Sequence, residues 1–273
     1  MLMQSSILNI AHRGARSRAP ENTLAAARKA LALGADMWEL DVGITADGEL
    51  ILIHDDSLLR TTNAQTLFPE RAPWEFADFY LHEIKILDAG SFFVDTDPFG
   101  QIAAQAVSPE EAAAMRGEPI PTLETALRFT RDHDWRVNVE IKQLALTNAS
   151  FPVVEKVVTL IEQLDLVDQV LLSSFVHPYL QQAKTLNSEL ATAVLVYQPV
   201  SDPIKLLRDL ESQIYHPYYE LIDVEQVGLL RQAGFEINVW TVNETDDMQT
   251  FIEAGVTGII TDFPQRLNQL LLK

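Results

Sequence analysis

Short apolar runs alternate with longer helical patterns along most of this chain, and this alternation restricts its fold more than any other feature. Eight of the runs have the length of strands, and they cover residues 7–11, 36–43, 136–142, 169–174, 190–197, 213–216, 236–240 and 258–261. Helical patterns between strands are typical of βα units, in which successive strands run parallel. Eight such units predict an α/β fold, the (β/α)8 or TIM barrel. A chain of 273 residues fits one barrel domain, residues 1–273.

Polar side chains cluster where these apolar runs end. In a barrel of this kind the functional residues lie at the carboxyl ends of the strands, so these side chains are expected to converge at one face. Glu39 and Asp41 also point to the same side of their strand, because side chains alternate with a period of two. The strand-end positions are His12, Glu39, Asp41, His54, Glu140, Lys142, Trp240 and Asp262.

Composition limits the chemistry and the partners. Without cysteine the chain has no disulfide, no thiolate metal site and no cysteine nucleophile, so a metal would be held by oxygen or imidazole. A net charge of −19 argues against nucleic acid and anionic membranes as partners. No apolar run reaches about 18 residues and the first residues lack a basic segment, so neither a membrane span nor a signal peptide is expected. We therefore predict a cytoplasmic protein without stable membrane association.

Eleven short motifs, in order along nearly the whole chain, resemble the glycerophosphodiester phosphodiesterase family. They are HRG at 12–14, PENT at 20–23, GADMWELD at 34–41, TADG at 45–48, HD at 54–55, LDAG at 87–90, IPTL at 120–123, EIK at 140–142, SSF at 173–175, VWTVN at 239–243 and GIITDFP at 258–264. The resemblance implies metal-dependent hydrolysis of a small-molecule glycerophosphodiester. The products would be sn-glycerol 3-phosphate and an alcohol such as choline or ethanolamine, in lipid and glycerol metabolism.

The resemblance also implies a metal site and a division of catalytic work. Glu39, Asp41 and Glu140 match the family's ligands for one divalent cation, and hard cations such as magnesium, calcium or manganese suit three carboxylates. Salt bridges to basic neighbours are the alternative, but massed carboxylates repel one another without a cation. His12 and His54 match the family's acid and base, and an unperturbed pKa of about 6.5 suits histidine to both roles. Which of the two is the acid stays open.

Further residues are predicted around this centre. Arg13 and Lys142 are candidate phosphate ligands, and each has the alternative of pairing with the carboxylates. A cation, Arg13 and Lys142 would outweigh the acidic net charge at short range. Trp240 is predicted to bind substrate as a wall of the pocket, with closure of the barrel top as the alternative. Asp262 is expected to orient a neighbour or cap the last helix. The remaining histidines are expected to be structural: His82, His133, His177 and His216.

The alternation of strands and helices stops between residues 56 and 119. A long segment of this kind is usually functional or has its own structure. We predict an insertion that caps the C-terminal face of the barrel, as in the family, with a satellite lobe around its own apolar cluster as the alternative. Gly43 stands where many relatives have a larger polar residue, so it is expected to widen the pocket.

Two rival functions remain. A phospholipase D-like reaction on lysophospholipids, through a cyclic phosphate, would need a route for an acyl chain. The aromatic residues of the insertion could line that route: Phe68, Trp74, Phe76, Phe79 and Tyr80. A barrel that only binds ligands is disfavoured, because no residue of the catalytic and metal set is lost. Assays on a panel of substrates, with and without EDTA, discriminate among the three. Neither the oligomeric state nor the preferred alcohol follows from the sequence.

Overall fold

The computed structural model describes residues 7–272 as a closed barrel of eight parallel strands with one short antiparallel strand beside it. The strands are β1 (Leu8–Ala11), β2 (Met37–Ile44), β3 (Leu50–Leu52), β4 (Arg136–Ile141), β5 (Val170–Ser174), β6 (Ala191–Val196), β7 (Ile214–Pro217), β8 (Glu236–Val239) and β9 (Gly258–Thr261). The barrel closes because β1 pairs with both β2 and β9. The predicted (β/α)8 fold is confirmed.

The helices fall into two groups. In chain order they are α1 (Leu24–Ala32), α2 (Ala64–Leu67), α3 (Leu81–Ile84), α4 (Ser91–Thr96), α5 (Pro109–Met115), α6 (Leu123–Asp132), α7 (Val153–Gln163), α8 (His177–Leu186), α9 (Pro203–Asp209), α10 (Val224–Gln232), α11 (Thr245–Ala254) and α12 (Pro264–Leu271). Helices α2 to α5 belong to the predicted insertion, and the others surround the barrel. Within residues 7–272, none of these helices has the length and apolar character needed to cross a bilayer.

Successive side chains of β2 point alternately to the helices outside the barrel and to the barrel interior. Its outward residues, such as Trp38 and Leu40, are buried in the large cluster between the barrel and the helices. The inward residues of the strand are Met37, Glu39 and Asp41. Met37 packs inside the barrel with Ile10 and Ile260. Apolar side chains therefore lie at this level of the interior, and the polar residues of β2 lie above them towards the carboxyl ends of the strands.

β2 continues past the barrel, and this extension carries the next motif. Val42, Gly43 and Ile44 pair antiparallel with Leu52, Ile51 and Leu50. The apolar run before His54 is therefore a separate strand. The hairpin turns the chain back so that His54 follows β3 close to the end of β2.

The aromatic residues of the insertion form its own core, which argues against the acyl route that the rival lysophospholipid reaction would need. Phe76 and Phe79 are buried in a cluster that includes Ile51 of β3, and Phe68 and Trp74 pack against it. Tyr80 is 51% exposed, with its ring stacked on His82. Because four of the five rings already contact one another or β3, they do not provide a lining for an acyl chain.

Gly43 does not widen the pocket as expected. A Cβ atom built on Gly43 would lie 2.6 Å from Cζ of Phe76 and 3.0 Å from Cγ2 of Ile53. The space left by the missing side chain is therefore occupied by the ring of Phe76. Glycine at this position leaves room for the apolar core of the insertion. The expectation of a larger substrate pocket was therefore wrong.

Gly14 is required by its surroundings, and we expect Gly14→Ala to be strongly destabilising. Its φ is +78°, and an added Cβ would lie 2.6 Å from Cβ of Ala26 and 2.7 Å from that residue's carbonyl carbon. Backbone strain and overpacking together should lower the free energy of unfolding by about 2–4 kcal/mol. Gly234→Ala is the matched control, because its φ is +89° but no atom of residues 7–272 lies within 4 Å of the new Cβ. Urea unfolding of both variants tests this, and equal losses would contradict the steric argument.

Candidate active site

Three carboxylates from two neighbouring strands meet at the mouth of the barrel. Asp41 of β2 lies opposite Glu140 of β4, and Glu39 lies one inward position below Asp41. Oxygen atoms of the three side chains lie within 4.8 Å of one another, and all three residues are buried. Three carboxylate oxygens at this spacing are a suitable ligand set for one hard divalent cation.

The electrostatics of this cluster also fit a cation. Burial raises the pKa of Glu39 well above its ordinary value, and the charges of Asp41 and Glu140 raise it further. Burial and then Asp41 likewise raise the pKa of Glu140. Burial also opposes ionisation of Asp41, but Arg13 and Lys142 hold its pKa at about 2. The nearby bases therefore compensate Asp41 well, whereas burial and the charge of Asp41 still oppose the ionisation of Glu39 and Glu140.

Asn22 fixes the position of Asp41. Its Nδ2 donates to Oδ2 of Asp41 at 2.8 Å, and the backbone N–H of Asp41 donates to Oδ1 of Asn22 at 3.1 Å. Asn22 has a φ of 55°, a left-handed conformation in which asparagine is enriched. Thr23, the next residue of the PENT motif, is the N-cap of α1. The contact between Asn22 and Asp41 was not predicted.

Arg13 pairs with carboxylates on all sides. Its Nη1 lies 2.8 Å from Oε1 of Glu21, its Nε lies 3.2 Å from Oδ2 of Asp41, and its backbone N–H donates to Oε2 of Glu39 at 2.7 Å. Burial lowers the pKa of the Arg13 guanidinium, but Asp41, Glu21 and Glu39 outweigh it and raise the pKa above its ordinary value. The structure thus places Arg13 in the pairing role that was its alternative, and phosphate binding by Arg13 stays a prediction.

Lys142 reaches the same cluster from the end of β4. Its Nζ lies 2.9 Å from Oε1 of Glu140 and 3.6 Å from Oδ1 of Asp41. The contact to Glu140 has the distance of an ion pair but not the geometry of a hydrogen bond, since Oε1 of Glu140 has no hydrogen-bond partner within residues 7–272. Lys142 therefore keeps donors that it can turn towards an anion in the pocket.

His12 is held by a carboxylate of the last strand-to-helix turn. Its Nδ1 donates to Oδ1 of Asp262 at 2.7 Å, and Nδ2 of Asn243 donates to Oδ2 of Asp262 at 2.8 Å. Asp262 therefore orients His12, which is one of the two roles expected for it. Burial lowers the pKa of His12, Arg13 lowers it further, and Asp262 opposes both. The bond at Nδ1 leaves Nε2 as the nitrogen that can exchange a proton with a ligand.

His54 is held in the same manner by the next residue in the chain. Its Nδ1 donates to Oδ1 of Asp55 at 2.6 Å, and Nε of Arg60 donates to Oδ2 of Asp55 at 2.5 Å. The site thus contains two imidazoles, each with a carboxylate on Nδ1. Both line one cavity together with Glu39, Glu140 and Lys142.

Comparison with known proteins identifies the family. The sequence profile of the glycerophosphoryl diester phosphodiesterase family matches residues 12–266. The chain belongs to this family. It is 36% identical to a glycerophosphodiester phosphodiesterase of Caldanaerobacter subterraneus, over 97% of this chain and 98% of that one. It is 34% identical to another from Bacillus altitudinis, over 94% of each. The predicted resemblance is therefore confirmed, as is the prediction of a phosphodiesterase of this family.

Solved structures of the family agree with the fold. A phosphodiesterase from Oleispira antarctica, in complex with the product sn-glycerol-3-phosphate, has a TM-score of 0.81 at 27% identity, over 97% of this chain and 96% of that one. A second structure, described as a putative glycerophosphoryl diester phosphodiesterase from Silicibacter pomeroyi, has a TM-score of 0.82 at 26% identity, over 98% and 94% of the two chains.

One wall of the cavity in this phosphodiesterase is aromatic. Trp240 and Phe175 both line it, with ring centroids 5.5 Å apart. Nε1 of Trp240 donates to the carbonyl of His216 at 2.8 Å, which fixes the indole. His216 itself is buried beside Asn238, and burial lowers its pKa to about 3. Trp240 is thus placed at the pocket, whereas His216 has the environment expected of a structural histidine.

Several polar residues of the site were not predicted, and all of them lie outside the strands. They bind the side chains that were predicted, or the carboxylates that hold them. Their positions depend on which loops meet at the barrel mouth. The HD motif already contained Asp55, so its neighbour His54 could have indicated that contact. The unpredicted residues are Arg16, Glu21, Asn22, Asp55, Arg60 and Asn243.

Proposed function

We propose that this chain hydrolyses glycerophosphodiesters to sn-glycerol 3-phosphate and an alcohol, by metal-dependent general acid–base catalysis with two histidines. One observation carries the proposal: His12 and His54, each with a carboxylate on Nδ1, line the same cavity as the carboxylate cluster. The relatives named glycerophosphodiester phosphodiesterase and the sn-glycerol-3-phosphate complex of a structural neighbour support the substrate class.

Glu39, Asp41 and Glu140 would hold one divalent cation, which we take to be magnesium, calcium or manganese. A bound cation would neutralise charge on the phosphoryl oxygens and polarise the phosphorus centre. Lys142 supplies a second positive charge on the same side, and its donors can reach an anion that lies over the cluster. Arg13 contributes mainly by holding the carboxylates, because its donors are turned to Glu21 and Asp41.

The two histidines would divide the proton transfers. One removes a proton from the water molecule that attacks phosphorus, and the other donates a proton to the oxygen of the alcohol that leaves. We assign His54 as the acid, because it lies beside the insertion, where the variable alcohol would be. Asp262 and Asp55 would each stabilise an imidazolium and fix its tautomer. Trp240 and Phe175 would form the wall against the organic part of the substrate.

We also propose that residues 56–119 form one side of the entrance to the site. Arg60 from this segment contacts Asp55 and Glu21, and Phe99 packs edge to face on Phe263. The guanidinium of Arg16 lies over the ring of Phe99, 5.3 Å from its centroid. The segment therefore contacts the loops that follow β1 and β9. A cytoplasmic location stays a prediction from the sequence.

Metal dependence is tested by removing and restoring divalent cations. Release of choline from glycerophosphocholine should fall to background in EDTA and return when magnesium, calcium or manganese is added in excess, because three buried carboxylates would otherwise repel the substrate. The far-UV circular dichroism spectrum in EDTA is the control for unfolding. Full activity of the metal-free protein would contradict the proposal.

A further inference from the structure

Glu21 is a buried carboxylate on which three arginines converge. Its Oε1 accepts from Nη1 of Arg13 at 2.8 Å and from Nη2 of Arg60 at 2.7 Å. Its Oε2 accepts from Nη1 of Arg60 at 2.8 Å and lies 2.9 Å from Nη2 of Arg16. A carboxylate offers about four lone-pair sites, so three hydrogen bonds and the ion pair with Arg16 leave Glu21 little spare capacity. Glu21 is not among the residues of the carboxylate cluster.

One of these arginines connects Glu21 to the carboxylate that holds His54. Arg60 chelates Glu21 with its two terminal nitrogens and donates with Nε to Oδ2 of Asp55 at 2.5 Å. The other oxygen of Asp55 accepts from Nδ1 of His54. A planar guanidinium bound at both edges is fixed in orientation, and it fixes the carboxylate beyond it.

A second arginine connects Glu21 to the carboxylate that holds His12. Arg16 binds Glu21 with Nη2, and its Nη1 lies 3.6 Å from Oδ1 of Asp262. That same oxygen accepts from Nδ1 of His12. The two histidines are therefore joined by an alternating series of acids and bases, and Glu21 is at its centre. The third arginine, Arg13, extends the series to Asp41 of the carboxylate cluster.

We propose that Glu21 is a positioning residue that orients both histidines at once, through Arg60 on the side of His54 and through Arg16 on the side of His12. This inference rests on the proposed function, because it assumes that the two imidazoles transfer the protons. Glu21 does not touch the reacting atoms. Without Glu21, the guanidinium groups of Arg60 and Arg16 can rotate. The aspartates that they hold would then no longer fix the two imidazoles.

Kinetics of the holoenzyme distinguish this role from a merely structural one. Glu21→Gln keeps the size of the side chain but leaves one acceptor oxygen for four donors. It should lower kcat on glycerophosphocholine roughly 10- to 100-fold and change KM less than about threefold. Arg60→Gln and Arg16→Gln should respond differently to a substrate with a nitrophenyl leaving group, which needs little protonation. The variant on the acid side should recover, and the variant on the base side should not.

The controls separate failure of this inference from failure of the proposed function. Arg116→Gln removes a comparably exposed arginine, paired with Asp95 in the insertion, and should leave kcat unchanged. Arg60 is 43% exposed, so Arg60→Gln should fold even if Glu21→Gln does not. Imidazole ¹⁵N spectra should show shifted signals for His12 and His54 in Glu21→Gln, with His216 unchanged. Unshifted imidazole signals, wild-type kcat in Glu21→Gln, or equal responses of the two arginine variants would overturn the inference. An inactive wild type would instead overturn the proposed function.

Discussion

His12→Ala and His54→Ala should each lower kcat for the natural diester by about 10²–10⁴-fold, because each removes a general acid or base. The double variant should lose little more than the worse of the two, since groups that act as a unit fail together. Steady-state kinetics on glycerophosphocholine measure this. His133→Ala is the matched control, because this exposed histidine bonds to the carbonyl of Phe129 and lies outside the cavity.

The leaving group separates the roles of the two histidines. A nitrophenyl diester needs little protonation as it departs, so it should restore activity to the variant that lost the acid and leave the other inactive. We expect recovery of His54→Ala. Recovery of His12→Ala alone would instead make His12 the acid and His54 the base. Near-wild-type turnover of both variants with the natural diester would show that the two-histidine mechanism is wrong.

Glu39→Gln should abolish metal-dependent activity and yet make the metal-free protein more stable at neutral pH. The pKa of Glu39 is raised in the folded state by burial and by Asp41 and Glu140, so the folded state binds its proton more tightly than the unfolded state does. The free energy of unfolding therefore falls as pH rises from the unfolded pKa of about 4.3 towards the raised folded value. The amide carries no charge and avoids this loss.

Thermal melts in EDTA and in excess cation test this expectation. In EDTA at pH 7 the variant should melt above the wild type, and the difference should shrink below about pH 4.3. With cation at 100 times its Kd the wild type should gain about 2.7 kcal/mol, and the variant clearly less. Glu124→Gln is the control, because this exposed carboxylate pairs with Arg128 outside the site. A variant that is less stable in EDTA, or stabilised by cation as much as the wild type, would contradict the proposed metal site.

Residues on strands could be placed from the sequence because strand geometry alone determines their position. His12 follows β1, and Glu39 and Asp41 alternate along β2, so their convergence depends only on barrel closure and a period of two. The hairpin of β2 and β3 brings His54 to the same place, and the HD motif indicated this residue.

Residues in loops could not be placed, because tertiary contacts determine their conformation. Arg13 and Asn22 both have positive φ. Asparagine is enriched in this conformation, but nothing in the local sequence indicates that these two residues adopt it. Glu21 and Arg60 are 39 positions apart and meet only because the insertion folds back towards the loop after β1. The same long-range packing explains the error at Gly43, where the ring of Phe76 occupies the space expected for substrate.

Product analysis tests the central claim most directly. Glycerophosphocholine incubated with the metal-loaded protein should give sn-glycerol 3-phosphate, followed by ³¹P NMR, and an equal amount of choline, followed by ¹H NMR. In ¹⁸O water the label should appear in the phosphate group of glycerol 3-phosphate, because phosphorus is the centre that is attacked. Phosphocholine and glycerol as products, or no turnover with any of the three cations, would contradict the account.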